Sequence, residues 1–191
     1  GDRVAGNPGP TFSVDGGLFA NYVAGGQSRL SSFAPGSVSG ATPVSTLVLS
    51  AASSSGGYPA ALAGGANQLY AWTEGGLGNP TLYQVNRSGL TLALGGTRSV
   101  GNEPFAAQVI RTHAPATVLL TLDPYTSDPA VRSVQRWPVS GATISNGTGL
   151  FNQIRPEWFA WADHVMYVSQ AGFINSVDVS NPYLPKIGNA F

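Results

Sequence analysis

Acid–base chemistry in this chain could involve a small group of ionisable residues around His113. Arg111 and Glu103 are close to His113 in the sequence, near a predicted strand. Histidine ionises near neutral pH and can act as a general base, whereas arginine can hold an anionic group. We therefore predict His113 and Arg111 as catalytic residues and Glu103 as a ligand-binding residue. The second histidine, His164, stands beside Asp163 in a predicted turn, where a solvent-facing pair is expected.

Further carboxylates and amides lie near predicted strand ends, where they could in principle hold a cation. Hard cations need several oxygen ligands that converge, and the spacing of these residues does not make them converge. The sequence therefore predicts no metal site and no cofactor. Arg155 and Glu157 flank Pro156 at the entry to a predicted strand, and we add them to the ligand-binding candidates. The residues considered as metal ligands are Glu74, Asn102, Glu103, Asp123 and Glu157.

The elements that must position these residues form a fourfold internal repeat of about 48 residues, a period typical of stacked or radial β-units. In each repeat a proline opens a short apolar stretch, and a strand-like run follows it. The prolines are Pro10, Pro59, Pro104 and Pro156. The runs are Leu18–Val23, Leu69–Glu74, Val118–Asp123 and Val165–Gln170.

Each run is followed by a second alternating segment, and in the first two repeats by a third. The second segments are 28–33, 81–85, 131–137 and 173–179, and the third are 46–49 and 91–94. Three or four short strands per repeat is the make-up of a β-propeller blade. No window sustains helical periodicity. The sequence predicts an all-β chain, a single propeller domain over 1–191 with four blade-like repeats at about 10–51, 59–99, 104–149 and 156–191.

The small number of charged residues limits which partners the chain could bind by electrostatic attraction. Nine basic and nine acidic residues cancel, and charged residues make up only 9% of the chain. Without clustered lysine or arginine there is no electrostatic footprint for nucleic acid or for an anionic membrane. No apolar run approaches the length needed to cross a bilayer. We therefore expect neither nucleic-acid binding nor a membrane span.

Two N-glycosylation sequons suggest a secreted or cell-surface protein. Asn86-Arg87-Ser88 and Asn146-Gly147-Thr148 both satisfy the acceptor rule and both are predicted near turns, where a glycan would point into solvent. The chain has no cysteine, which excludes a disulfide scaffold and thiol catalysis. We predict glycosylation at Asn86 and Asn146.

The second repeat resembles a blade of the lactonase-type propellers, the seven-bladed family that includes bacterial 6-phosphogluconolactonase and fungal 3-carboxymuconate cyclase. The resemblance rests on Gly57-Tyr58-Pro59, Asn67–Glu74 and Pro80–Val85. It implies that Glu74 occupies the position of a conserved family glutamate, and we include Glu74 among the catalytic candidates. Ala60-Ala61 stand where the family has Arg-His, which is a departure from its pattern. The family has seven blades and this chain has four repeats, so the chain is expected to be either a small four-bladed propeller or a proteolytic or assembled part of a larger ring, which self-assembly or a partner chain would complete.

Two functions from different classes follow as expectations. The first is a secreted, non-catalytic propeller that acts as a binding, cell-surface or assembly protein and takes a small molecule or a glycan as ligand. The alternative is a lactonase- or cyclase-like enzyme that acts on a small lactone or carboxylate at the propeller channel. A propeller lectin and a β-solenoid are the remaining alternatives.

Overall fold

The structure is a computed structural model that describes residues 11–37, 40–51, 59–64, 67–73, 81–99, 106–111, 117–122, 134–146, 148–149, 158–162, 165–170, 172–181 and 186–190. Regular structure in these residues is antiparallel β-strand, and they contain no helix. Within them, therefore, no helix could cross a membrane. The predicted all-β class is confirmed. The chain divides into two compact units, Gly1–Glu103 and Pro104–Phe191.

The first unit contains two four-stranded sheets, each built from consecutive strands in chain order. Sheet 1 consists of β1 (Thr11–Val14), β2 (Gly17–Ala24), β3 (Gln27–Phe33) and β4 (Ser45–Ala51). Sheet 2 consists of β5 (Pro59–Gly64), β6 (Gln68–Thr73), β7 (Thr81–Ser88) and β8 (Thr91–Ser99). Pro59 opens β5, and the missing proline N–H is tolerated at the first residue of a strand.

Two-residue turns set the register of sheet 1. Asp15 and Gly16 join β1 to β2, and their φ angles are 50° and 74°. Gly25 and Gly26 join β2 to β3 with φ of 58° and 70°. Positive φ at both central residues is the type I′ pattern, whose twist matches that of the flanking strands. Asp15 is the one non-glycine residue with positive φ in the described residues.

The hydrophobic core of the first unit lies between sheets 1 and 2. One face of β2 and β3 packs on one face of sheet 2, with β1 and β2 beside β5 and with β3 and β4 beside β8. Burial of these aliphatic and aromatic side chains is the main stabilising contribution to the pair of sheets. The core residues are Phe19, Leu30, Leu62, Leu69, Ala71, Tyr83, Val85 and Leu92.

The opposite face of sheet 2 is also buried. Side chains alternate between the two faces of a strand, so Tyr70 and Trp72 of β6 point away from the Leu69 side. Their cross-strand partners on β7 are Gln84 and Leu82. All four side chains are fully buried. Sheet 2 is therefore covered on both faces, which explains why β6 shows no alternation in burial.

The second unit contains the other two sheets, sheet 3 and sheet 4. Sheet 3 consists of β9 (Ala106–Arg111), β10 (Thr117–Leu122), β11 (Val134–Ser140), β12 (Thr143–Ile144) and β13 (Thr148–Gly149). Sheet 4 consists of β14 (Trp158–Ala162), β15 (Val165–Gln170), β16 (Phe173–Asp178) and β17 (Lys186–Ala190). In sheet 4 the side chains of Met166, Val168 and Val177 are fully buried.

The pairing of the last strand is irregular in all four sheets. Register shifts interrupt the β3–β4, β7–β8 and β16–β17 ladders. In sheet 3 the two short strands β12 and β13 both pair with β11 in place of one continuous strand. Bulges at an edge increase the local twist of the strand. A register shift also interrupts the β5–β6 ladder, between Pro59 and Ala61.

Candidate functional site

Most of the residues predicted for catalysis and ligand binding lie outside the described residues. These are Glu74, Glu103, His113, Arg155 and Glu157. Arg111 is the last residue of β9, where its Cα pairs with that of Thr117 in β10. The grouping of Arg111 with His113 and Glu103 therefore stays a prediction. In the part of the chain that is described, no three His, Cys, Asp or Glu side chains come together as a metal site.

The described residues that do come together lie between the sheets of the first unit. Arg87 of β7 forms an ion pair with Asp15 of the β1–β2 turn. The Arg87 side chain is only 3% exposed, whereas that of Asp15 is 66% exposed. Arg87 also donates to the carbonyl of Gly89 at 3.1 Å, and its guanidinium carbon lies 5.4 Å from the centroid of the Phe19 ring. The buried cation is thus held by a carboxylate, a carbonyl and an aromatic face.

The turn from β7 to β8 docks on sheet 1 beside this ion pair. Its second residue, Leu90, packs against the core, and the Leu90 carbonyl accepts a hydrogen bond of 2.5 Å from Ser32 Oγ. Gly17 of β2 makes room for Leu90, because a Cβ at Gly17 would lie 2.6 Å from Leu90 Cδ2. A glycine at this position thus permits the close approach of the two sheets.

Two further hydrogen bonds join the sheets. Asn21 is fully buried, and its Nδ2 donates to the carbonyl of Trp72 at 3.3 Å. Asn21 Oδ1 in turn accepts from Ser28 Oγ at 3.4 Å. On the other side of the core, the Leu92 N–H donates to Ser45 Oγ at 3.1 Å. Polar side chains of sheet 1 thus satisfy backbone groups of sheet 2, which makes the contact between the sheets specific as well as apolar.

A hydroxyl row crosses the other face of sheet 1. Tyr22 OH lies 2.9 Å from Ser31 Oγ, which lies 2.7 Å from Thr46 Oγ1. Ser31 is fully buried, Tyr22 is buried and Thr46 is exposed. This row joins β2, β3 and β4 by side-chain hydrogen bonds in addition to the backbone ladder. The row therefore helps to hold these three strands together.

Both predicted glycan acceptors are exposed. Asn86 lies within β7, two residues before Ser88 ends the strand, and Asn146 follows β12. The middle residue of the first sequon, Arg87, points to the opposite face from Asn86 and is buried between the sheets. This placement leaves the Asn86 side chain on an accessible surface. Glycosylation itself stays a prediction.

No protein-family model and no curated protein matches this chain. The resemblance to the lactonase-type propellers therefore stays a prediction. Sequence reasoning missed the Asp15–Arg87 pair and the hydrogen bonds that join sheets 1 and 2.

One sequence signal could have located the docking turn. A Ser-Gly or Ser-Asn step precedes the last strand of every sheet, at Ser39-Gly40, Ser88-Gly89, Ser140-Gly141 and Ser180-Asn181. Gly40, Gly89 and Gly141 all have positive φ, and the latter two open two-residue hairpin turns. The same step also occurs at Ser55-Gly56, before β5, so it marks turns in general and locates the last strands only together with the strand pattern.

Proposed function

We propose that this chain is a β-propeller of four blade-like repeats that acts outside the cell as a non-catalytic binding, cell-surface or assembly protein. Each repeat supplies one blade, and a small molecule or a glycan is the ligand class. The ring is completed by self-assembly or by a partner chain.

The packing of sheets 1 and 2 is the observation that carries this proposal. Neighbouring blades of a propeller pack face to face around a common axis. In the first unit β1 and β2 of sheet 1 lie beside β5 of sheet 2, and β3 and β4 lie beside β8. Burial on both faces of sheet 2 is what a blade between two neighbours would have. The recurring Ser-Gly or Ser-Asn step supports the same repeat in all four sheets.

The use of polar groups supports a scaffold role. Arg87, Asn21, Ser32 and Ser45 are all engaged in contacts between sheets. A general base must instead reach a substrate proton. The alanines at Ala60-Ala61, in place of the Arg-His of the lactonase family, support the same assignment.

The exposed sequons support a secretory route. Asn86 and Asn146 are both exposed, and neutral Ser, Thr and Asn residues outnumber the charged residues in the sequence. Glycans at these positions would add hydrophilic cover.

Hydrolysis assays on a panel of small lactones test the proposal against its alternative. We expect no turnover above the uncatalysed rate for the wild-type protein. The opposite result would be turnover that is lost in Glu74→Gln or His113→Ala. If Lys186→Ala, a change at an exposed residue, keeps that turnover, the lactonase-like function that the position of Glu74 favours would be established instead.

A further inference from the structure

Part of the outer edge of β4 lacks, in the described residues, the devices that protect strand edges. β4 is the last strand of sheet 1, and no described strand pairs with its far side. It lies in a stretch, residues 30–73, that contains no charged residue. Edge strands are commonly protected by lysine, by proline or by a bulge, because bare backbone groups recruit further strands. The segment Val44–Val48 lies between Pro43 and a register shift in the β3–β4 ladder, which falls between Val48 and Ser50 on β4. The segment itself contains no lysine, no proline and no bulge.

The same segment exposes aliphatic side chains. Val44 is 55% exposed and Val48 is 52% exposed, with the exposed Thr46 between them. The alternate residue Leu47 packs against the core. An apolar stripe beside unpaired backbone groups is the feature by which strands add to sheet edges.

The order of residues in this segment identifies its partner. Val44-Ser45-Thr46-Leu47-Val48 has valine at both ends and threonine at the centre. An antiparallel pair of two such segments about Thr46 places Val44 opposite Val48 of the second copy, and Thr46 opposite itself. Each exposed valine would thus face a valine of the other copy, Ser45 would lie opposite Leu47, and no like charges would meet. A two-fold axis of this kind makes a closed, self-complementary contact.

The outer strands of sheets 2 and 4 are less suited to this pairing. β8 carries Arg98 and the Gly95-Gly96 irregularity, and β17 begins with Lys186. Both contain devices that oppose edge pairing.

We infer that the segment Val44–Val48, which comprises Val44 and the first four residues of β4, pairs antiparallel with the same segment of a second copy of this chain, about a two-fold axis at Thr46. This inference rests on the proposed assembly role and names the partner as a second copy. It gives a dimer joined through the outer strand of sheet 1.

Single-cysteine variants test the register, since the chain has no cysteine of its own. In Thr46→Cys the two cysteines would lie opposite each other, with their Cβ atoms about 4.5–5.5 Å apart, as in a cross-strand pair. We therefore expect a disulfide-linked dimer under mild oxidation. In Val44→Cys the two cysteines would be four residues apart along the strands, about 13 Å, which is beyond disulfide reach. Leu94→Cys, on the edge of β8 at 52% exposure, is the matched control and should form dimers only at the background rate.

Sedimentation equilibrium tests the energetics. We expect the wild-type protein to show a concentration-dependent dimer between about 1 and 100 µM, and Val48→Lys to weaken dimerisation at least about tenfold. Leu94→Lys should leave the dimer unchanged. Thr46→Lys is a second edge variant, and circular dichroism checks that each variant remains folded.

Two results would overturn the inference. One is a wild-type protein that stays monomeric across this range, and the other is a Thr46→Cys variant that crosslinks no faster than Leu94→Cys. Either result, without lactone turnover, removes the dimer and leaves the non-catalytic scaffold standing. Turnover that depends on Glu74 or His113 would remove the proposed function without affecting the crosslinking result.

Discussion

The Asp15–Arg87 ion pair provides a sharp test of how sheets 1 and 2 are held together. Asp15→Asn removes the carboxylate charge and keeps a residue that tolerates positive φ, so the β1–β2 turn is preserved. Arg87 then retains its charge while its side chain stays almost completely buried. Exposed ion pairs contribute about 0.2–1 kcal/mol, whereas removal of one partner from a fully buried pair costs about 3–5 kcal/mol.

This pair lies between those limits because one partner is buried and the other is exposed. We expect Asp15→Asn to lower the free energy of unfolding by about 2 kcal/mol. Arg87→Met should cost about 3 kcal/mol, because it also removes the hydrogen bond to the Gly89 carbonyl and the contact of the guanidinium with Phe19. The double variant should cost less than the sum of the two by about 1–2 kcal/mol.

Urea unfolding followed by tryptophan fluorescence measures these values, because Trp72 is fully buried in sheet 2 of the same unit. The coupling energy should fall at high salt, since Asp15 is exposed and its charge is screened. A double-mutant cycle that is additive to within about 0.4 kcal/mol would refute the pair as a stabilising contact.

Three further predictions concern packing and modification. Gly17→Ala should lower the free energy of unfolding by about 1–3 kcal/mol, because the added Cβ would meet Leu90 Cδ2. Urea unfolding measures this loss. If adding Leu90→Ala to the same chain does not restore part of it, the clash is not the cause. Leu69→Ala should cost about 2–5 kcal/mol, whereas Leu94→Ala on the exposed edge of β8 should change stability by no more than about 0.5 kcal/mol; equal losses would contradict the core assignment. In protein secreted from a eukaryotic host, mass spectrometry should find glycans at Asn86 and Asn146, with Ser88→Ala and Asn86→Gln each removing the same one; unmodified peptides at both positions would count against the secretory route.

The strands could be predicted from the sequence because their local patterns are strong. The run predicted at Val165–Gln170 is β15 with the same bounds, and the run at Leu18–Val23 lies inside β2. The predicted start of a strand at Arg155 lies outside the described residues, which include this strand from Trp158 onward.

The polar contacts of the candidate site could not be predicted in the same way. Arg87 and Gln84 look like surface residues in the sequence, and both are buried. Asp15 and Arg87 are separated by 72 residues, and no local pattern relates positions so far apart. Only the packing of one sheet on another brings them together.

Alternation, glycine turns and the proline-led repeats determined by themselves that this chain is made of short antiparallel strands, because those signals act within a few residues. The tertiary structure alone decided which face of each strand is covered. In β6 both faces are buried, so the alternation that would distinguish them is absent from the sequence. The partners of Asn21, Ser32 and Arg87 were likewise decided by the approach of sheet 1 to sheet 2, because a buried polar group takes its partner from whatever backbone or side chain the packing places beside it.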